Sequence, residues 1–556
     1  MLLFPVLTIC LFDDRVGAKF FKQLNRKESL MHYRFHRLAF CALALFLTIS
    51  YDSRCQGAGV TVVTHGLNSN VDSWVSAMTA AIPVNPSLPG TNYTTYNLSF
   101  VLDTNINAYI PKWSRIAGAH PLTTDSGEIL INLDWRQWAG GSKSVYEISW
   151  VVAYVLAQTN FISELNGHAV AELPIHLIGH SRGGSLVSEM CLDFGTNGIW
   201  VDHFTPLDPH PLNNDGFDSN PPYTVVDAPV RTYENVLFAD NYWQTAAFHG
   251  ESVAGAYNRQ LIHLEAGYWP DYYGDHFDVH LWYHGTIDLR TPTSDSNATL
   301  DTFERSYWYE SAEQRGTNAG FCYSLIAGGD RLSTNKPAGS NTDMIRTGYN
   351  QHWDLGAGST NNRTALPTYS GRWPNPIKVA LLGSSVIQYG QSNSVGFYYQ
   401  WARPSSESAL AEIFIDTDHN PFNGNERLLG QMQVPGTGQT QVNYRIVPFT
   451  VSSAESAPGT RYLFVKMTDG SRRRYSYVPQ ALSVQSGGPP QLVITRAGSS
   501  TVAIDVYGTV GQRIVLEVST DLSVWQPRAT NVLSSSVWRY TETVSTAKRF
   551  FRVSVP

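Results

Sequence analysis

Gly179-His180-Ser181-Arg182-Gly183 has the residue types of a covalent acyl-transfer site. It follows the apolar run Ile175-His176-Leu177-Ile178 and precedes Gly184-Ser185-Leu186-Val187-Ser188-Glu189-Met190, so the local reading is strand, tight turn, helix. A serine on such a turn needs small residues two positions before and after it, because the backbone is crowded there. The turn lifts the hydroxyl above a sheet, and the helix N-terminus favours negative charge beside it. The hydroxyl is a poor nucleophile until an imidazole takes its proton and a carboxylate orients that imidazole. Downstream, two acids follow strand-like runs: Asp208 after 201–207 and Asp240 after 235–238. The base is expected at His276, where Gly274-Asp275-His276-Phe277-Asp278-Val279-His280 opens a helix; His280 and His284 lie further in and are expected in the core.

Two weaker patterns carry metal chemistry. His276, His280 and His284 recur on one helical face, but the glutamate of the zinc-peptidase pattern is missing and His276 is already claimed as a base, so no metal is expected there. Asp416, Asp418 and Asn420 alternate as in a calcium loop, with Pro421 where such loops want glycine. An Asx-bonded turn is the primary reading, with calcium in the accessory region as the alternative. No cofactor is otherwise expected.

The elements that must position these groups follow from periodicity. Strands are expected at 60–64, 129–133 and 175–178, and helices at 145–165 and after Ser181. Such alternation means an α/β domain whose mostly parallel sheet is flanked by helices. From 290 to 374 the chain is polar and rich in Gly, Asn and Thr, with the clusters Tyr307-Trp308-Tyr309 and Phe321-Cys322-Tyr323; this reads as an irregular extension packed on the first domain. From Ile377 onward β-type runs at 394–400, 411–415, 441–447 and 462–467 form a sandwich pattern. The expected organisation is an N-terminal extension 1–57, an α/β catalytic domain 58–374 that includes the extension 290–374, a β-sandwich 375–485, a linker 486–490 and a small β domain 491–556. The fold class is therefore α/β followed by two all-β sandwich-like modules.

At 556 residues the chain has room for about three or four domains. Charged residues are 15% and aromatics 12%, which excludes collagen and disorder, and a net charge of −7 gives no footprint for nucleic acid or anionic membrane. Residues 31–57 read as a secretory signal: His32, Arg34, His36 and Arg37 start it, 38–49 is apolar, and Cys55 and Gly57 are small residues before a cut. The apolar run is too short to span a bilayer, so no integral span is expected in a mature chain that starts near Ala58. Translation is expected to start at Met31. Of Cys10, Cys41, Cys55, Cys191 and Cys322 only the last two belong to that mature chain, and they form no disulfide framework or zinc spacing; a single bridge and buried free thiols both stay open.

Several segments resemble the pancreatic-type lipase branch of the α/β-hydrolases, in the family's order: Thr64-His65-Gly66-Leu67 with Trp74, Asn132-Leu133-Asp134-Trp135, His176-Leu177-Ile178-Gly179-His180-Ser181, Leu207-Asp208-Pro209, and His276 with His280-Leu281. The resemblance spans 60–289. It implies an α/β-hydrolase sheet, Asp208 as the triad acid with Asp240 as the alternative, and an oxyanion hole made by the main-chain N–H groups of Leu67 and Arg182, with His65 supporting the loop. It further implies a secreted serine carboxylic-ester hydrolase acting on a lipid, an acylated small molecule or an acylated polysaccharide. Arg182 departs from the family, which usually has an apolar residue there, as does the lack of the family's disulfides and Cys-bracketed lid. The stretch 491–556 resembles the β tail domains of secreted bacterial proteins, which implies binding or display. Three alternatives remain: an amidase or peptidase on the same triad, a carbohydrate esterase targeted by its β modules, and a polymer-binding or adhesion protein with an inactive hydrolase domain.

Overall fold

The computed structural model describes residues 58–555 apart from 85–92, 215–222, 247, 265–266, 269–273, 290–297, 299, 312, 314–318, 330, 332–341, 354–360, 368–372, 440, 487–489, 499 and 544–547. The expected signal at 31–57, the cysteines Cys10, Cys41 and Cys55, and most of the expected linker lie outside the described residues.

Runs of β-branched and apolar residues buried on both faces become the centre of a mainly parallel sheet. Its strands are β1 (Val60–Thr64), β2 (Thr94–Asp103), β3 (Ala108–Gly118), β4 (Ile129–Asp134), β5 (Ile175–His180), β6 (Val201–Leu207), β7 (Val236–Trp243) and β8 (Tyr257–Gln260). The order is β3-β2-β4-β1-β5-β6-β7-β8, and only the β2–β3 pair is antiparallel. Thr64 pairs with Leu133 and Gly179, and His180 with Leu207, so the loops after β1, β4, β5 and β6 leave the same edge. In an open parallel sheet that edge is where ligands bind.

Helices cover both faces: α1 (Trp74–Ala81), α2 (Arg136–Ala139), α3 (Val145–Leu156), α4 (Arg182–Thr196) and α5 (Gly274–Ile287). Val60 and Val62 pack on one side with Ile148, Leu186 and Val187 of α3 and α4. Val63 packs on the other with Val75, Met78 and Trp282 of α1 and α5. The alternation follows from the two-residue period of a strand.

Local expectations are corrected in three places. The helix expected over 145–165 stops at Leu156, where the polar Gln158-Thr159-Asn160 follows, and the chain resumes as a 3₁₀ turn, Ser163–Leu165, closed by Asn166 at φ 48°. The strand expected to end at 238 continues to Trp243, which puts Asp240 inside it. The stretch 290–374 is not wholly irregular, since its described residues include α6 (Thr302–Trp308) and α7 (Thr342–Gly348). Asp301 caps α6 through the N–H groups of Phe303 and Glu304. The extension packs on α5, where the Trp282 indole donates to Trp308 O at 3.0 Å and Phe321 N to Thr286 Oγ1 at 3.0 Å.

Beyond residue 374 all described strands are β9 to β23. The first group, β9 (Asn375–Leu381), β10 (Val386–Gln388), β11 (Ser392–Gln400), β12 (Ser408–Asp416), β13 (Arg427–Pro435), β14 (Asn443–Thr450), β15 (Gly459–Asp469), β16 (Arg472–Tyr477) and β17 (Leu482–Gln485), makes a three-stranded and a six-stranded sheet around one core. The second group, β18 (Gln491–Arg496), β19 (Thr501–Tyr507), β20 (Arg513–Ser519), β21 (Gln526–Val532), β22 (Val537–Thr543) and β23 (Phe550–Ser554), makes two three-stranded sheets. A sheet-rich α/β region followed by β modules is thus the architecture. Among the described residues no helix is long and apolar enough to cross a membrane, and Cys191 and Cys322 are both buried and unbridged.

At the floor of the first sheet, Glu128 is buried with only the Gly59 N–H to moderate its charge, and burial pushes its carboxyl pKa well up. The folded state therefore holds the proton that the unfolded chain releases above about pH 4.5, so Glu128 costs stability as pH rises. Glu128→Met is expected to raise Tm by several degrees at pH 8, with the gain shrinking toward pH 4. Paired melts across that range check it; a gain that does not change with pH refutes the buried charge as its cause.

Candidate functional site

Ser181 joins β5 to α4 at φ 56° and ψ −127°, a conformation that costs a non-glycine residue of order 1–3 kcal/mol and persists only where the surroundings impose it. They do so sterically: a Cβ on Gly179 would come within 2.2 Å of Gly183 O, one on Gly183 within 2.5 Å of His65 O, and one on Gly66 within 2.7 Å of the Ser181 Cβ. The turn is pinned further because Ser181 N donates to Leu207 O at 2.9 Å, while Ser181 O accepts from His210 N at 3.1 Å. Gly66 thus lies against the serine, 3.1 Å from Oγ at its would-be Cβ, and the β1 loop carrying Leu67 runs beside it.

Asp208, fully buried after β6, accepts His276 Nδ1 at 2.7 Å on Oδ2. The carboxylate is saturated by Gln244 Nε2 at 2.7 Å, Gln244 N at 3.1 Å and Gly250 N at 2.8 Å, so it is a fixed acceptor that orients the imidazole. With Nδ1 bound to a carboxylate, Nε2 is the nitrogen left for proton traffic. His276 sits in the first turn of α5, and its carbonyl accepts His180 Nε2 at 2.7 Å, which ties His276 to the residue before Ser181. The two rings are 4.6 Å apart. Burial, then the neighbouring His276 and His280, hold the His180 pKa well below its usual value, so this donor is a neutral imidazole.

Asp240 stands elsewhere. As a mid-strand residue it points into the sheet face, where it accepts from Thr205 Oγ1 at 2.5 Å, His203 Nε2 at 2.7 Å and Tyr242 OH at 2.8 Å. Burial raises its pKa to about 6. The structure brings Ser181, Asp208 and His276 to one edge and leaves Asp240 in a separate network with His203, which stacks on His176 at 3.9 Å.

The other expected residues fall as follows. His65 stacks on Trp135 at 5.3 Å and its ring nitrogens lie 3.1 Å from Gly66 O and 3.4 Å from Asp134 Oδ1, the contacts of a loop support. Arg182 is the first residue of α4, where an N–H has no acceptor within its own helix. His280 stacks on Trp74 at 4.3 Å, and His284 is buried one turn beyond it, so the three histidines of α5 meet different surroundings. In the 416–426 loop Asp416 accepts from Tyr477 OH at 2.7 Å and Asp418 from Asn423 Nδ2 at 2.9 Å and Asn425 Nδ2 at 2.6 Å. The main-chain N–H groups of Asp418 and Asn420 donate to Asp416 Oδ1 at 3.1 Å and Asp418 Oδ1 at 2.9 Å, an Asx-bonded turn, while the Asn420 side-chain amide donates to Pro121 O and Thr124 O, both at 2.8 Å, and docks the loop on the segment between β3 and β4.

Sequence reasoning missed Gln244, Gly250 and Asp227. Nothing near Gln244 or Gly250 marks them, because they serve Asp208 from 36 and 42 residues away. Asp227 had a usable signal: Arg182, in the crowded turn directly after Ser181, is buried there, and a buried guanidinium calls for a carboxylate partner.

No family model matches the chain, and no curated protein matches it. Among solved structures, an alkylpurine DNA glycosylase of Pseudomonas fluorescens bound to DNA containing an abasic site analog is similar at 12% identity over 19% of this chain and 30% of that one, so the match spans less than a third of its length; the TM-score is 0.14. A likeness that slight has no bearing on the site.

Proposed function

We propose that the protein is a secreted serine carboxylic-ester hydrolase of the lipase/esterase type, on an α/β-hydrolase fold, working through an acyl-enzyme on Ser181. The observation that carries this reading is the Asp208–His276 hydrogen bond of 2.7 Å beside a serine held in a strained strand-to-helix turn. His276 Nε2 takes the Ser181 proton as Oγ attacks the acyl carbon. The oxyanion is received by the N–H groups of Leu67 and Arg182, the tetrahedral species collapses, and the alcohol leaves with the proton from His276. Water repeats the sequence, releasing the acid and restoring the serine. Secretion is supported by the basic, apolar and small-residue order of 31–57.

Fluorophosphonate labelling of the secreted protein with peptide mapping tests the reading. Label on Ser181 supports it; folded protein that takes no label overturns it in favour of a binding protein. Turnover of short p-nitrophenyl esters without amide turnover separates esterase from amidase. One observation favours an acylated polysaccharide as substrate: Tyr146, Trp150 and Tyr154 are each about half exposed along α3, with the last two rings 5.6 Å apart. Retention on insoluble polysaccharide, lost in a Trp150→Ala variant, would support it.

A further inference from the structure

The guanidinium of Arg182 is fully buried, and each of its five N–H donors has an acceptor. Nε donates to Asp227 Oδ2 at 2.5 Å and Nη2 to Asp227 Oδ1 at 2.9 Å, a bidentate fork. Nη2 also reaches Lys143 O at 2.5 Å, and Nη1 reaches Trp138 O at 2.8 Å and Ala139 O at 3.2 Å. The group lies over the Trp135 ring at 5.1 Å, and Trp135 in turn stacks on His65 and donates to Thr64 Oγ1 at 2.9 Å. Asp227 is likewise saturated, since it accepts Val145 N at 3.0 Å and Leu212 N at 3.2 Å.

These bonds run between the two segments that carry the proposed oxyanion donors. One donor is the main-chain N–H of Arg182 itself. The other belongs to Leu67, and the next residue, Asn68, donates its N–H to Ala139 O at 3.3 Å, the same carbonyl that Arg182 Nη1 holds. The Arg182 side chain thus links its own helix N-terminus, through Ala139, to the loop after β1, and through Trp135 to His65. The spacing matters, because a displacement of about 1 Å between the donors costs roughly a hundredfold in rate.

We propose that Arg182 and Asp227 form a positioning pair that sets the spacing of the two oxyanion donors. This rests on the hydrolase reading above and adds to it side-chain roles for Arg182 and Asp227. Lysine cannot replace Arg182, because it offers three donors from one point where the site needs a planar fork of five. The pair acts on the charge that develops in the transition state and touches neither the ester's acyl chain nor its alcohol, so its loss falls on kcat and leaves KM alone.

The test compares wild type with Arg182→Lys and Asp227→Glu in the full secreted chain, on a short p-nitrophenyl ester and with a trifluoromethyl ketone inhibitor whose adduct places an oxyanion between the donors. Active sites are counted by fluorophosphonate. In both variants kcat per titrated site is expected to fall by about 10- to 100-fold and the inhibitor Ki to rise by a similar factor, with KM within about threefold of wild type. A folded variant whose kcat per site and Ki both stay within threefold of wild type overturns the pair's role, even if fewer molecules are active, since fold maintenance alone would lower only the active fraction. If Arg182→Lys does not fold, Asp227→Glu, which keeps both charges and shifts the fork by one methylene, decides by the same readings. A wild type that takes no label on Ser181 overturns the hydrolase reading itself, whereas a labelled wild type with indifferent variants overturns only the positioning pair.

Discussion

Ser181→Ala is expected to lower kcat for ester hydrolysis by about 10⁴- to 10⁶-fold, leaving only the small acceleration that the oxyanion donors and substrate binding supply, and to abolish fluorophosphonate labelling. Alanine keeps the Cβ that packs against Gly66 and loses only the oxygen, so Tm should stay within a few degrees of wild type. The main-chain bonds to Leu207 and His210 that hold the turn are indifferent to the side chain. Such a split between activity and stability separates a nucleophile from a structural serine. Residual labelling at any other residue, or kcat within tenfold of wild type, would move the chemistry away from this turn.

The second large effect is expected at Asp208. Asp208→Asn should lower kcat by about 10⁴ near neutral pH. An amide there places a donor NH₂ where Gln244 Nε2 and His276 Nδ1 both require an acceptor, so the imidazole is held in the wrong tautomer. Asp240→Asn made in parallel should leave kcat within a few-fold of wild type and cost about 1–3 kcal/mol of stability, because it disturbs the bonds from Thr205, His203 and Tyr242 inside the sheet. Kinetics and melting of the two variants side by side give the answer; the reverse pattern would assign the acid to β7.

What could be read from the sequence was what local pattern encodes. β1, β4 and β5 are buried on both faces and read as short apolar runs, so their positions and the strand-turn-helix around Ser181 follow from a few residues each. His276 at a helix start and Asp208 after a strand were likewise local. Illegible features depend on partners far along the chain. β7 runs on through Asp240, Asn241 and Tyr242, where Thr205 of β6 donates to Asp240 and Glu251 O accepts from Asn241 Nδ2, partners that no periodicity reveals. Which of Asp208 and Asp240 lies beside His276 likewise needed tertiary geometry. The Asx-bonded turn at 416–420 was local enough to read, but the side-chain amide of Asn420 finds its carbonyl partners 299 and 296 residues earlier, which no local pattern shows.

That last contact is one of several across the same seam. Arg473 pairs with Glu172 at 3.0 Å, Arg474 donates to Trp200 O at 2.9 Å, and Phe464, Tyr475 and Tyr477 belong to the same buried cluster as Val60 and Leu186. The accessory sandwich is therefore not cargo on a tether: part of the hydrophobic interior that holds Val60 and Leu186 is built from Phe464, Tyr475 and Tyr477, far downstream of Ser181. A gene cut after residue 374 would leave that interior open to water, and a calorimeter should register the melting of the first sheet and of β9–β17 as one endotherm. Any shortened form of this chain would have to be trimmed behind residue 486 to keep that interior closed.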